Sequence, residues 1–289
     1  MGDELRLGLV QHPCGPDPEA NLQRSLDGIA EAAGRGAELV LLQELHRGPY
    51  PCFEAHPRHF DAAEPVPGPT TERLGEAAAA HGSVVVGSVF ERRAAGLYHN
   101  TAVVLDADGR LAGTYRKMHI PDDPGYYEKF YFTPGDGGFA PVDTAIGRLG
   151  VLVCWDQWFP EAARLMALAG AELLLYPTAI GYAPDEPADE QARQREAWET
   201  VQRGHAIANA LPLAACNRTG EEPAARFWGG SFVCGPQGEL LARAGAGAAE
   251  TLVVTVDRRR TEAVRRMWPF LRDRRIDAYQ GLGRRYLEP

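Results

Sequence analysis

Three side chains with catalytic chemistry stand at the ends of short apolar runs. Glu44, Lys117 and Cys154 each follow a run whose length and composition are typical of a buried strand. Ligands of open α/β sheets bind beyond the carboxyl ends of the strands. If these strands are neighbours in a sheet, we expect the carboxyl, ammonium and thiol groups to converge.

Such a trio suits acyl-transfer chemistry without a metal. A thiolate is the nucleophile, and a nearby ammonium lowers the pKa of its thiol. A glutamate takes the thiol proton and returns it to a leaving amine, while a lysine stabilises the oxyanion. Taken singly, each residue is better explained as a core cysteine or a solvated charge. Only two of the 30 basic residues are lysines, Lys117 and Lys129, which favours a special use for the ammonium.

The elements that must position these groups alternate between strands, helices and hairpins. The pattern predicts the α/β class, with one mixed sheet or two packed sheets covered by helices. It places a hairpin turn at Gly147-Arg148. The predicted strands are 5–11, 38–43, 83–90, 100–106, 110–116, 149–153, 171–176, 213–216, 230–234, 239–242 and 252–256. The predicted helices are 21–34, 71–81, 159–169 and 188–209.

Composition narrows the class of protein. The chain has 289 residues, 45% of them hydrophobic, and a formal net charge of −9, which disfavours nucleic acid as a partner. No apolar run approaches membrane-spanning length, and the first residues lack the features of a signal peptide. Five cysteines without a Cys-x-x-Cys pair argue against a disulfide scaffold or zinc ribbon. We therefore expect a cytoplasmic protein with no metal and no membrane partner.

The last segment of the chain differs in composition. Ten arginines lie between Arg258 and Arg285, interleaved with acidic and aromatic residues. This predicts one main domain over 1–257 and an Arg-rich extension over 258–289. A basic tail can bind nucleic acid, but the interleaving favours a solvated segment or one packed at a subunit interface.

The residues around the trio resemble those of the nitrilase superfamily of carbon-nitrogen hydrolases. Cys154 opens the stretch Cys-Trp-Asp-Gln-Trp-Phe-Pro-Glu, and its Pro160 suits the first turn of a helix. Lys117 stands in Gly-Thr-Tyr-Arg-Lys-Met-His, and Glu44 is followed by Gly-Pro-Tyr at 48–50. Glu128, in Tyr-Tyr-Glu-Lys-Phe, lies where the superfamily often has a second acid. The resemblance covers nearly the whole chain.

This resemblance implies a four-layer α-β-β-α sandwich of two mixed sheets, and it assigns roles. Cys154 would be the nucleophile and Glu44 the general base. Lys117 and the backbone N–H of Trp155 would form the oxyanion hole, and Glu128 would orient Lys117 or the leaving nitrogen. No cofactor is implied. The resemblance also implies a homodimer or higher homo-oligomer, with the helix 159–169 at the contact between subunits.

Within the superfamily the sequence is most similar to the N-carbamoylputrescine amidases. That similarity implies hydrolysis of a carbamoyl amine to putrescine, ammonia and carbon dioxide, a step of polyamine biosynthesis. The chain departs from their pattern at Ala183, where they carry an acid near the distal amine. Asp185 and Glu186 could substitute, and Tyr50 and Trp155 could line the pocket.

Four other functions stay open at this stage. Within the superfamily they are β-ureidopropionase and N-carbamoyl-amino-acid hydrolase activities. Outside it they are a metal-dependent amidohydrolase and a non-catalytic interaction module that retains the trio.

Overall fold

The computed structural model describes residues 2–288. Within them the strands, in chain order, are β1 Glu4–Gln11, β2 Leu39–Leu42, β3 Val84–Ala94, β4 Leu97–Leu105, β5 Leu111–Arg116, β6 Val142–Thr144, β7 Gly147–Val151, β8 Leu173–Thr178, β9 Gly181–Tyr182, β10 Leu213–Asn217, β11 Thr219–Glu222, β12 Ala225–Trp228, β13 Phe232–Cys234, β14 Leu240–Arg243 and β15 Glu250–Asp257. The α-helices are α1 Pro18–Gly34, α2 Pro69–His81, α3 Glu128–Tyr131, α4 Pro160–Leu168, α5 Ala188–Asn209 and α6 Arg259–Met267.

Two six-stranded mixed sheets form the centre of the fold. Their strand orders are β15-β1-β2-β3-β4-β5 and β14-β13-β10-β8-β7-β6, and β9, β11 and β12 make a third, small sheet. Each large sheet combines parallel and antiparallel pairs. The small sheet is absent from the sequence-based prediction because its strands have only two to four residues.

The helices cover the outer faces of the two sheets. Apolar residues of α1 and α2, such as Ile29 and Leu74, pack with Val40 on the outer face of the first sheet. Alternate residues of the same strands, such as Leu41, join a second core with residues of the other sheet and of α4 and α5. Because side chains alternate between the faces of a strand, each sheet buries both of its faces. The layers are therefore α-β-β-α, and the fold expected from the resemblance is confirmed.

One predicted turn is wrong by two residues. The hairpin of β6 and β7 turns at Ala145-Ile146, whereas Gly147 and Arg148 already belong to β7. Arg148 lies opposite Asp143 in the register, and its Nε is 2.7 Å from Asp143 Oδ1. This cross-strand ion pair favours the observed register.

The topology brings the ends of β2 and β5 to one edge of the first sheet. β2 and β3 are parallel, and two successive antiparallel pairings, β3 with β4 and β4 with β5, turn β5 back to the same direction. β7 belongs to the other sheet. The sequence argument supposed that the strands before Glu44, Lys117 and Cys154 are neighbours in one sheet, and this is wrong. The three residues converge from two different sheets.

The helices of the described residues also bear on the membrane question. None between residues 2 and 288 is both long and apolar enough to cross a bilayer.

The segment after β15 begins with α6, where Arg265 donates to the carbonyl oxygen of Asn209 at the end of α5. Its place at a subunit interface stays a prediction.

Candidate active site

Lys117 lies between the two glutamates that the sequence analysis singled out. Its Nζ is 2.9 Å from Glu44 Oε1, and 2.9 and 2.8 Å from the two carboxylate oxygens of Glu128. All three side chains are at most 1% exposed. Lys117 follows β5 directly, Glu44 follows β2 after one residue, and Glu128 opens α3. The structure therefore joins these three predicted residues in one buried ionic cluster.

Cys154 stands at a strained turn between β7 and α4. β7 ends at Val151, and Cys154 begins a single 3₁₀ turn over 154–158. Its φ is 41°, in the left-handed region that non-glycine residues seldom adopt. The surrounding fold must hold such a conformation in place, and strained residues of this kind cluster at active sites. The Cys154 thiol lies 3.9 Å from the carbonyl oxygen of Ala179.

The charges of the cluster act on this thiol. Burial raises the pKa of Cys154 well above its usual value, the carboxylate of Glu44 raises it further, and Lys117 opposes both. The lowering by a nearby ammonium that we expected from sequence is present, but burial outweighs it. At neutral pH the Cys154 thiol is therefore protonated and needs a base before it can attack.

Burial also shapes the titration of the other two groups. Burial alone would lower the pKa of Lys117, but the carboxylates of Glu128 and Glu44 outweigh it and raise that pKa well above the usual value. Burial raises the pKa of Glu128 to about 7, against the opposing effect of Lys117. Lys117 thus keeps its positive charge, whereas Glu128 changes its charge near neutrality.

Two further residues complete the hydrogen bonds of the glutamates. Asn100 Nδ2 donates to Glu44 Oε1 at 2.7 Å, and the Tyr50 hydroxyl donates to Glu128 Oε1 at 2.6 Å. Tyr50 was expected to line the pocket, and the structure places it inside the cluster. Glu44 Oε2 is buried and has no hydrogen-bond partner among the described residues. Glu44 therefore offers one free carboxylate oxygen for a proton.

Asp156 supports the turn at Cys154, and the sequence analysis did not identify it. One of its oxygens accepts from the Val153 N–H and the Tyr115 hydroxyl, both at 2.9 Å. The other is 3.0 Å from the backbone nitrogen and 2.6 Å from the ring of His119. Asp156 thus ties the nucleophile turn to the chain just after Lys117. An acid two residues after the cysteine was the available signal.

The remaining predicted residues lie outside the hydrogen-bonded cluster. Trp155 follows the nucleophile and packs edge-on against Trp158, with ring centres 6.4 Å apart. Asp185 is exposed in the segment between β9 and α5. Glu186 Oε1 accepts from Gln194 Nε2 at 2.6 Å, which holds it against α5. The structure does not bring Asp185 or Glu186 into contact with Glu44, Lys117 or Glu128.

Tyr126 is a further wall residue that sequence reasoning passed over. Its ring centre lies 5.6 Å from that of Tyr50, and its hydroxyl is 3.3 Å from the carbonyl oxygen of Gly181. Burial raises the pKa of the Tyr126 hydroxyl, and Cys154 adds to this effect. Among residues 2–288 no three His, Cys, Asp or Glu side chains gather in a way that could hold a metal ion.

Comparison with known proteins adds to this geometry. The profile of the carbon-nitrogen hydrolase family matches residues 6–266. The chain belongs to this family. The predicted nitrilase-superfamily resemblance is thus confirmed, and this carbon-nitrogen hydrolase is an enzyme that acts on amides.

Individual relatives of this carbon-nitrogen hydrolase match along nearly their whole length. The N-carbamoylputrescine amidase of Solanum lycopersicum is 44% identical over 98% of this chain and 97% of its own. The citrullinase of Francisella tularensis is 38% identical over 98% of this chain and 99% of its own. The crystal structure of a carbon-nitrogen hydrolase from Helicobacter pylori G27 has a TM-score of 0.95 and 49% identity, covering 98% of this chain and 100% of the other.

Proposed function

We propose that this enzyme hydrolyses N-carbamoylputrescine to putrescine, ammonia and carbon dioxide. The observation that carries the proposal is the buried contact of Lys117 with Glu44, whose second carboxylate oxygen is free of hydrogen bonds among the described residues. Both charged groups act on the Cys154 thiol. That arrangement suits attack on a neutral carbonyl carbon. The 44% identity to an N-carbamoylputrescine amidase supports the choice of substrate.

The first half of the reaction transfers the carbamoyl group to the enzyme. Glu44 takes the thiol proton on its free Oε2, and the Cys154 sulfur attacks the carbamoyl carbon. The oxyanion that forms is stabilised by Lys117 and by the backbone N–H of Trp155. Glu44 then returns the proton to the leaving nitrogen. Putrescine departs, and the carbamoyl group remains on the Cys154 sulfur as a thioester.

The second half releases the carbamoyl group to water. Glu44 removes a proton from a water molecule, whose oxygen attacks the thioester carbon, and the proton returns to the Cys154 sulfur. The product, carbamic acid, breaks down to ammonia and carbon dioxide. No oxidant, metal or cofactor is needed to balance either half.

Glu128 has a distinct task in this scheme. Lys117 has three donors, and the described structure directs one to Glu44 and the others to the two oxygens of Glu128. A substrate oxyanion would take over one of the bonds to Glu128. Glu128 thereby holds the ammonium in place between turnovers. The Oε2 atom of Glu44 stays free to accept the thiol proton.

The distal end of the substrate decides between candidate amides. The five residues after the nucleophile, 155–159, contain no cation that could bind a substrate carboxylate. The segment 183–190 supplies four acids: Asp185, Glu186, Asp189 and Glu190. Asp189 and Glu190 pair with Arg193, which leaves Asp185 and Glu186 as the acids for a substrate ammonium. An amine is therefore favoured over an amino acid.

A citrullinase is the second candidate, because a relative of that name is 38% identical along the whole chain. Citrulline carries a carboxylate beside its ammonium and would need a cation in the pocket. The test is ammonia release from N-carbamoylputrescine, citrulline and N-carbamoyl-β-alanine by the purified protein. We expect kcat/KM to be at least about tenfold higher for N-carbamoylputrescine, which corresponds to about 1.4 kcal/mol. A faster reaction with either amino acid would overturn the proposal.

A further inference from the structure

The loop that carries the proposed general base is held by a fully buried arginine. Arg218 follows β10 and is 0% exposed. Its guanidinium donates to three backbone carbonyls of the segment 44–48: those of Glu44 at 3.1 Å, Leu45 at 2.7 Å and Gly48 at 2.9 Å. Few side chains can satisfy three carbonyls at once, and the planar fork of arginine can.

The far end of the same loop is bound by Glu222, the ion-pair partner of Arg218. Arg218 Nη1 is 2.6 Å from Glu222 Oε1 in β11, and Glu222 Oε2 accepts from the backbone N–H of Tyr50 at 2.7 Å. The guanidinium also lies 5.3 Å from the ring centre of Phe227, which packs it in place. One buried ion pair therefore holds both Glu44 and Tyr50.

Sheet hydrogen bonds alone do not fix this loop. β2 ends at Leu42, and Leu45 has a φ of 47°, a conformation that its surroundings must enforce. The Leu45 N–H donates to Ser88 and its carbonyl accepts from Arg218, so the residue is held from two sides. Loss of the Arg218 bonds would let the backbone of Glu44 relax.

We propose that Arg218, together with Glu222, is a positioning residue for the reaction. The pair sets Glu44 against the Cys154 thiol and, through Tyr50, sets Glu128 against Lys117. This inference rests on the proposed role of Glu44 as the base. Arg218 touches neither the thiol nor the substrate in this scheme and acts only through the loop.

The first test is Arg218→Lys, which keeps the charge but cannot reach three carbonyls. We expect kcat for N-carbamoylputrescine to fall at least about 30-fold, because small misplacements of a catalytic group cost up to about a hundredfold. KM should stay within about threefold. The matched control is Arg203→Lys, since Arg203 in α5 also donates to a carbonyl, that of Gly238, and pairs with a glutamate four residues away. That control should keep kcat within about twofold.

The second test separates positioning from general stability. Alkylation of Cys154 by iodoacetamide at pH 7 reports proton removal by Glu44 without turnover. Arg218→Lys should slow alkylation in the wild-type background and have no further effect in a Glu44→Gln background. A structural role would slow both backgrounds alike and would overturn the inference.

Glu222→Gln keeps an acceptor for the Tyr50 N–H and removes the charge. We expect a loss of kcat smaller than that of Arg218→Lys, and the double variant should be no worse than Arg218→Lys alone. If Arg218→Lys does not fold, as judged by circular dichroism, an unchanged kcat in Glu222→Gln overturns the inference. Full activity of Glu44→Gln would instead refute the proposed function. If Glu44→Gln is inactive and Arg218→Lys has the activity of the wild type, only the positioning role is refuted.

Discussion

Replacement of Glu128 by glutamine tests the electrostatics of the site most directly. Burial raises the pKa of Glu128 to about 7, so the carboxylate form is present above pH 7 and is lost as the pH falls through that value. A protonated Glu128 no longer offers Lys117 a counter-charge. Activity should therefore fall on the acid side, and Glu128→Gln should mimic the protonated enzyme at every pH.

The size of the effect follows from the contacts. Glu128 accepts two hydrogen bonds from Lys117 at 2.9 and 2.8 Å, and Lys117 keeps Glu44 as a second partner. Without Glu128 the ammonium of Lys117 is no longer held in place for the oxyanion. Loss of an oxyanion donor costs about 2.7–4 kcal/mol in the transition state, and the remaining contact with Glu44 places this case at the lower end. About 3 kcal/mol in the transition state corresponds to a loss of roughly a hundredfold in kcat/KM. In the wild type, kcat/KM should fall about tenfold per pH unit below 7, or about 30-fold at pH 5.5.

The assay is a profile of kcat/KM from pH 5 to 9, measured by ammonia release. The wild type should show the acid limb near pH 7, and Glu128→Gln should be low and flat across the same range. Tyr50→Phe supplies a shift of known sign, because the Tyr50 hydrogen bond lowers the pKa of Glu128. Its acid limb should move to higher pH. An acid limb near 7 in Glu128→Gln would assign that titration to another group and refute the reasoning.

Three other substitutions probe the rest of the site. Cys154→Ala should abolish turnover with the fold retained, whereas Cys216→Ala should stay active; more than a few per cent of the wild-type rate in Cys154→Ala contradicts the mechanism. Lys117→Arg should lower kcat at least about a hundredfold, as for loss of an oxyanion donor, and near-normal activity would mean that Lys117 only balances charge. Asp185→Asn with Glu186→Gln should raise KM for N-carbamoylputrescine and spare an uncharged carbamoyl-alkylamine. Added salt should weaken the same preference, because partly exposed charges are screened; equal losses on both substrates would exclude an ammonium site there.

Much of the fold could be predicted from periodicity, because its long strands and helices bury continuous apolar faces. The long helix α5, for example, begins and ends where the pattern placed it, at Ala188 and Asn209. The small sheet could not be predicted in this way. Its strands are too short for a period to show, and they depend on pairing between segments far apart in the chain, such as Gly181 with Phe227.

The site divides in a similar manner. Glu44, Lys117 and Cys154 follow apolar runs, so strand ends and side-chain chemistry made them candidates, and the resemblance of their surroundings to the nitrilase superfamily selected them. Asn100 and Arg218 were missed because nothing in their local sequence indicates a partner; their hydrogen bonds to Glu44 span 56 and 174 residues. Such residues become visible only when the topology has brought distant segments together.

The cluster gives a physical reason why one of the two lysines of this chain stands at position 117. Lys117 is 0% exposed and faces three carboxylate oxygens at 2.8–2.9 Å, from two glutamates that approach from different elements. A compact ammonium directs three donors from one atom, whereas a guanidinium is planar and wider. An arginine at this position would have to displace Glu44 from Asn100 or Glu128 from Tyr50. The site therefore requires the side chain that the rest of the sequence almost never uses.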